Sequence, residues 1–413
     1  MNKKECNLFL RNSLGYLGGI ETYVYKSIKE IIRRGDGAGW ISDDLSQFNP
    51  AFKDAISLQG IYLINRRRAQ KELFEIFSAN NFANINIITF CPRDFVCAEE
   101  LKKKLRMFPV STFLFVPHFQ GDVLYLEEGF PKASRKIIEQ KLGSIYRRME
   151  MNGNLLYFSR KHLAEYRKRY GCKENDFSHV SIPEIPTKIE FNEDRVKAVF
   201  NQAEFTILSV SRLEFPHKGY VLGLVDAFES LCQEYESIRL VIVGDGDGMP
   251  ILRKKIDGLR KGIAQRIEIV GAVSPNELSA YYDRANVLVS LAGCFTLGAR
   301  RGVLSLPARH YTEKCEVYGY LPESKNFSLA DSDGYDVVPF LKEIINMSFN
   351  EYMKHCRDCY ESFPIQNPKY FDQIENKSKN VLGKTDIFYI KGLSVHNKVK
   401  YLLKRVKREA HGL

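Results

Sequence analysis

The sequence predicts an α/β protein made of two doubly wound parallel-sheet domains. Short apolar runs alternate with helical patterns of roughly ten to fifteen residues, which is how parallel strands joined by crossover helices read. The alternation halts at Ile182-Pro183-Glu184-Ile185-Pro186, a stretch that breaks regular structure, and then begins again. At 413 residues the chain also exceeds what one ordinary core holds. The expected division is therefore 1–185, 186–383 and a basic tail over 384–413.

In the first half, Cys6 to Leu10 reads as a strand, followed by Gly18-Gly19 and a helix from Ile20 to Arg34. Paired glycines before a helix let a ligand approach its free N–H groups, and they serve equally as a tight strand–helix turn. Further strands are expected at Gly39 to Ser42, Ile61 to Ile64, Asn84 to Phe90, Thr112 to Val116 and Leu155 to Ser159. Helices fill the intervals, at Arg66 to Ala79, Asp94 to Met107, 131–149 and Arg160 to Tyr170. His118 stands just past a strand's carboxyl end, either in a cleft or as a satisfied structural residue.

The second half opens with Thr206 to Val210, short and apolar enough for a buried parallel strand. It ends in Ser211-Arg212-Leu213, and six residues after Arg212 comes Lys218, then Gly219 and an apolar-faced helix. An Arg fork and a Lys point charge at a strand's carboxyl end suit a diphosphate, although two solvated loop cations have the same spacing. Strands follow at Arg239 to Val243, Arg266 to Val270, Val287 to Leu291 and Leu304 to Pro307. Asp245-Gly246-Asp247 lies within a glycine turn and reads as structural. Ser274, Pro275 and Glu277 form a capping box ahead of another helix. Asp336 to Cys359 is largely helical.

Composition narrows the classes. No apolar run reaches the ~18 residues a spanning helix needs, and MNKKECNLFLRNS reads as a first strand, so a cytoplasmic protein is expected. Nine scattered cysteines fit free thiols; the Cys356/Cys359 pair has no second pair at zinc spacing. The net charge of +11 is uneven: +8 over 1–185, −3 over 186–383 and +6 over 384–413. The amino-terminal part and the tail thus suit an anionic surface or acceptor. In the tail Val395, Val399, Leu402, Leu403 and Val406 share one helical face among lysines and arginines, a membrane-surface pattern that a helix packed on the body would also show. No clustered aromatic–basic module is present, so nucleic acid is not an expected partner.

Several spaced motifs resemble the retaining glycosyltransferases of family four. GGIETYVYKSIKEIIRRG, NLLYFSRKHLAEYRKRYG, SRLEFPHKGYVLGLVDAF, LVIVGDGDG and VGAVSPNELSAYYDRANVLVS occur in that family's order. The resemblance implies the GT-B fold, two Rossmann-like domains facing across a cleft, the first for acceptor and the second for donor. It further implies transfer from a UDP- or GDP-sugar, with retention, to a saccharide or lipid-linked acceptor in bacterial surface-polymer synthesis. The basic amino domain and tail fit such an acceptor on an anionic inner membrane surface, and would equally be solvated helix faces. Arg212 and Lys218 would hold the diphosphate, and Gly18 and Gly19 would meet its distal phosphate and the sugar. His118 would face the sugar hydroxyls, and Gly271 and Ala272 the base. Phe295, Thr296, Leu297 and Gly298 would offer N–H groups from a helix N-terminus. No metal or other cofactor is expected. The family's last glycine loop carries two glutamates, whereas AGCFTLGARRGVLSLPARH has no acidic residue, and Glu316 is the next candidate carboxylate. A binder that has lost turnover is the competing reading.

Overall fold

The structure is a computed structural model describing residues 4–11, 19–46, 52, 56–116, 130–157, 160–171, 190–326, 333–363, 381–393 and 395–396. It divides into two compact units, Met1–Ile185 with Gln366–Leu413, and Pro186–Ile365.

The first unit holds β1 (Cys6–Leu10), α1 (Gly19–Arg33), β2 (Gly37–Ser42), β3 (Ile61–Asn65), α2 (Ala69–Ala79), β4 (Ile85–Thr89) and α3 (Pro92–Lys104). β5 (Val110–Val116), α4 (Lys132–Met151), β6 (Leu155–Tyr157) and α5 (Arg160–Tyr170) follow. Its strands form one parallel sheet in the order β3-β2-β1-β4-β5-β6. Both faces are covered, so the central strands β1, β4 and β5 are buried along their whole length instead of alternating. Phe9, Trp40, Ile88 and Phe113 point to one side and meet Val24 and Ile28 of α1. Leu8, Ile41 and Ile87 point to the other and meet Leu73 and Phe77 of α2 and Leu101 of α3.

The second unit begins with α6 (Glu193–Phe200), which the sequence reading did not anticipate. β7 (Phe205–Val210), α7 (Tyr220–Leu231), β8 (Ile238–Val243), α8 (Met249–Asp257), the short α9 (Lys261–Ala264), β9 (Ile267–Gly271) and α10 (Pro275–Tyr282) follow. Then come β10 (Val287–Ser290), α11 (Ala292–Arg300), β11 (Leu304–Pro307), β12 (Glu316–Val317), β13 (Tyr335–Asp336), α12 (Val337–Ile345) and α13 (Phe349–Ser362). The main sheet is parallel, in the order β11-β10-β7-β8-β9. Ile207, Leu240, Ile242, Val287 and Val289 face the larger core, and Leu208, Val241, Val243 and Leu288 the smaller.

Each sheet reverses its winding beside its first strand, between β1 and β4 and between β7 and β10. Crevices at the carboxyl ends of such strands are where open α/β sheets take ligands.

Two expectations about the chain's later part change. The second unit ends at Ile365 instead of 383. A helix over 384–393, here α14, packs on the first unit, with Leu382, Ile390 and Leu393 buried among Leu142, Ile145 and Leu163. The start of the presumed tail is therefore core, because its apolar stripe completes the surface left by α4 and α5. Of the tail's amphipathic pattern, only Val395 and His396 fall among the described residues. Cys356 and Cys359 are fully buried free thiols in α13.

Candidate functional site

The carboxyl end of β7 continues along β8. The Ser211 N–H donates to the Val243 carbonyl at 2.9 Å, Leu213 N–H to Asp245 at 3.0 Å, and Gly248 N–H to Leu213 at 2.8 Å. This close approach explains the glycine turn after β8. A Cβ on Gly244 would lie 1.8 Å from the Ser211 carbonyl oxygen, and both Gly244 and Gly246 have positive φ, 139° and 154°. Asp245 and Asp247 thus ride on a turn whose geometry serves the 211–213 segment.

Beyond it the chain coils back, with the Lys218 N–H on the Glu214 carbonyl at 2.8 Å, and enters α7 through Gly219. A Cβ at Gly219 would stand 2.6 Å from the Thr312 carbonyl oxygen, and one at Gly223 would stand 2.2 Å from the Cys315 nitrogen. Those two glycines press the start of α7 onto the loop after β11, which holds Lys218 in place.

Lys218 is half-buried, and among the described residues its ammonium has no hydrogen-bond or ion-pair partner. Burial is the leading reason that its pKa falls from 10.5 to about 8. The Arg212 guanidinium adds to the fall, while Cys294 and Glu214 oppose it. Arg212 is exposed and ion-paired to Glu214, a contact that solvent makes weak and easily exchanged.

β10, the neighbour of β7, ends at Ser290, whose hydroxyl donates to the Val210 carbonyl at 2.7 Å. One residue later α11 starts. Ala292 takes a left-handed φ of 55°, and no side chain caps the helix. The N–H groups that open its first turn, at residues 291–293, lie beside the 211–218 segment across the β7/β10 switch point. Gly293 is exposed, with nothing within 4 Å of where a Cβ would sit. The Cys294 carbonyl is held by the Tyr282 hydroxyl at 2.9 Å.

This corrects the placement expected for Phe295, Thr296, Leu297 and Gly298. They lie inside α11, because only Leu291 separates β10 from the helix. Phe295 is buried among Ala299, Leu321 and Cys359, and a Cβ on Gly298 would meet Leu288 at 2.3 Å. Their residue types serve packing, and the ligand-facing amides belong to the preceding turn. The strand-to-helix junction SLAGC carried that signal in the sequence: a helix with no polar cap beside a basic loop.

Gly271 closes β9 with a φ of 85°, its carbonyl accepting from the Gly244 N–H at 2.8 Å, and Ala272 is exposed at the same sheet edge. Glu316 lies on β12 and is bound by Arg309 at 2.5 Å, which also pairs with Asp333. Its carboxylate is thus already engaged. Arg301, which follows α11 in the stretch that carries no acidic residue, is held by both oxygens of Asp283.

In the first unit Gly19 opens α1 behind β1, beside the other switch point. There Arg11 pairs at 2.9 Å with buried Glu21 of the first helical turn. Gly18 and His118 lie outside the described residues.

Among the described residues no three His, Cys, Asp or Glu side chains converge as metal ligands, and no helix is long and apolar enough to cross a membrane.

Residues 190–293 match the family described as Glycosyl transferases group 1. Two curated relatives are named alpha-monoglucosyldiacylglycerol synthase. The Streptococcus pneumoniae protein is 28% identical over 116 residues, covering 28% of this chain and 25% of its own length. The Acholeplasma laidlawii protein is 30% identical over 117 residues, covering 27% and 28%. The matched stretch thus spans only about a quarter of these relatives. Among solved structures, Anabaena Alr3699/HepE in complex with UDP and glucose is similar at a TM-score of 0.57. The identity is 13%, with 86% of this chain and 94% of that one covered. That likeness is one of fold: the chain has two Rossmann-like units of the GT-B class.

Proposed function

We propose that this chain, whose residues 190–293 belong to the glycosyl transferases group 1 family, moves a hexosyl group from a UDP- or GDP-sugar to a saccharide or lipid-linked acceptor. The observation that carries the proposal is the unpaired Lys218 ammonium beside Arg212, across the β7/β10 switch point from the uncapped start of α11. A half-buried ammonium and the amides of a helix start beside one crevice fit a diphosphate.

In this scheme the C1–O bond to the diphosphate breaks as the acceptor oxygen bonds to C1 on the same face, which retains configuration. The departing phosphate oxygen takes the acceptor's proton. Arg212 and Lys218 offset the charge growing on the leaving group, the term an electrostatic clamp is suited to supply. No metal is required for this division of labour. Gly271 and Ala272 lie at the sheet edge suited to the base, while Gly18, Gly19 and His118 keep the sugar-facing roles that the family resemblance implies. The relatives' names support a lipid acceptor, and the cationic amino-terminal part supports work at an anionic membrane face, in glycolipid or surface-polymer synthesis.

The test is release and transfer of labelled sugar from UDP- and GDP-sugars, with diacylglycerol and lipid-linked saccharides as acceptors. Arg212→Ala and Lys218→Ala are expected to lower kcat/KM by about 10²- to 10³-fold each. Background release by parent and variants alike, with nucleotide-sugar binding intact, would replace this reading by a binder without turnover. The engagement of Glu316 by Arg309 is the observation that favours that second reading.

A further inference from the structure

The chain from 381 to 396 is fastened to the first unit along two helices. Glu99, fully buried in α3, accepts from the Val381 and Leu382 N–H groups at 2.8 and 3.2 Å, and the Lys103 ammonium donates to the Leu382 carbonyl at 3.3 Å. Asp386 pairs with Arg148 at 2.6 Å and Lys141 at 3.4 Å on α4, and Lys391 pairs with Glu100 at 2.7 Å. Farther on, His396 stacks on Phe130 with ring centres 4.4 Å apart.

With its inner face so committed, α14 still carries a second apolar feature outside. Residues 384, 388, 391, 392 and 395 are exposed, at helical spacing. Phe388 among them is 81% exposed and Val395 64%. On α4, Ile137 lies between the Phe130 and Lys141 contacts and is also exposed. Lys384 and Lys391 stand one helical turn to either side of Phe388. Lys384 has no partner among the described residues. The sequence beyond 396 adds six Lys or Arg against one Glu.

An exposed phenylalanine with a lysine one turn to either side, on a helix already fixed from behind and followed by a basic stretch of sequence, suits a surface that is apolar within and anionic without. We infer that the outer face of α14 seats the first unit on an anionic lipid bilayer, with Phe388 and Val395 entering the headgroup layer and Lys384 and its neighbours meeting lipid phosphates. This rests on the reading of a membrane-borne acceptor and names where that membrane is met.

The full chain is sedimented with vesicles of phosphatidylcholine, alone or with about one third phosphatidylglycerol. Binding is expected only to the anionic vesicles, with Phe388→Asp lowering the bound fraction about fivefold or more. Ile251→Asp, at an exposed apolar residue of the second unit, is expected to leave binding unchanged. Trp40 is the chain's one tryptophan and is fully buried, so Phe388→Trp adds a reporter whose emission should shift to the blue on anionic vesicles. Unchanged sedimentation of Phe388→Asp, or an unshifted reporter on bound protein, overturns the assignment. So does loss of a protein dimer in Phe388→Asp without lipid. Failure of the parent to bind anionic vesicles overturns it as well. UDP-glucose binding measured on the same sample then shows whether the glycosyltransferase reading falls too.

Discussion

Lys218 makes donor binding depend on pH in a direction that can be worked out. In the free protein its ammonium is half-deprotonated near pH 8. A diphosphate against it stabilises the charged form and raises the pKa again. Binding therefore needs a lysine that is charged, and the charged fraction falls from about nine tenths at pH 7 to about one tenth at pH 9. The affinity for UDP-glucose should fall about tenfold over that range, or about 1.4 kcal/mol, and about half a proton should be taken up per ligand at pH 8. UDP-glucose is the suitable probe because each of its phosphates carries one ester and one anhydride bond, leaving a single acidic oxygen that stays ionised throughout. Isothermal titration in buffers of different ionisation enthalpy reads affinity and proton uptake together. Lys218→Met should bind more weakly at pH 7 and lose the slope. An affinity that stays flat from pH 7 to 9 in the parent, or an equal slope in Lys218→Met, would refute the reasoning.

The same depressed pKa bears on stability with the opposite sense. Charging Lys218 opposes folding below about pH 8, and the penalty fades as pH rises toward the unfolded value of 10.5, so Lys218→Met should raise Tm at pH 7 and leave it unchanged near pH 11. Gly244→Ala meets both a positive φ and a carbonyl oxygen at 1.8 Å, and should cost about 3 kcal/mol or more in urea unfolding of the second unit. Glu99→Ala strips the acceptor from two N–H groups and the Thr112 hydroxyl; a loss of about 2–4 kcal/mol and early proteolysis near residue 380 are expected. Sugar transfer should survive EDTA with its rate unchanged, and a rate restored only by added Mg²⁺ or Mn²⁺ would count against catalysis by Arg212 and Lys218 alone.

What the sequence disclosed follows from what each feature depends on. β1 and β11 were legible to the residue, and the Ser274 capping box with them, because buried parallel strands and caps are written in consecutive residues. The pairing of Arg212 and Lys218 was legible as spacing, yet the depressed pKa comes chiefly from burial, which spacing along the chain does not express. The place of Phe295 to Gly298 was misread because a residue's identity does not say on which turn a helix begins. There the Ala292 backbone and the tight packing of Gly298 on Leu288 decide. α14 was taken for tail because its partners, Glu99 and Arg148, precede it by more than two hundred residues, a separation that local periodicity cannot register.

The first unit is assembled from two stretches of chain with the whole second unit spliced between them. A fragment stopped at Ile185 would leave Leu142, Ile145 and Leu163 without the cover of Leu382, Ile390 and Leu393, and should be sticky or poorly folded when expressed alone. On the ribosome that hydrophobic surface must wait, uncapped, until residues 382–393 have emerged.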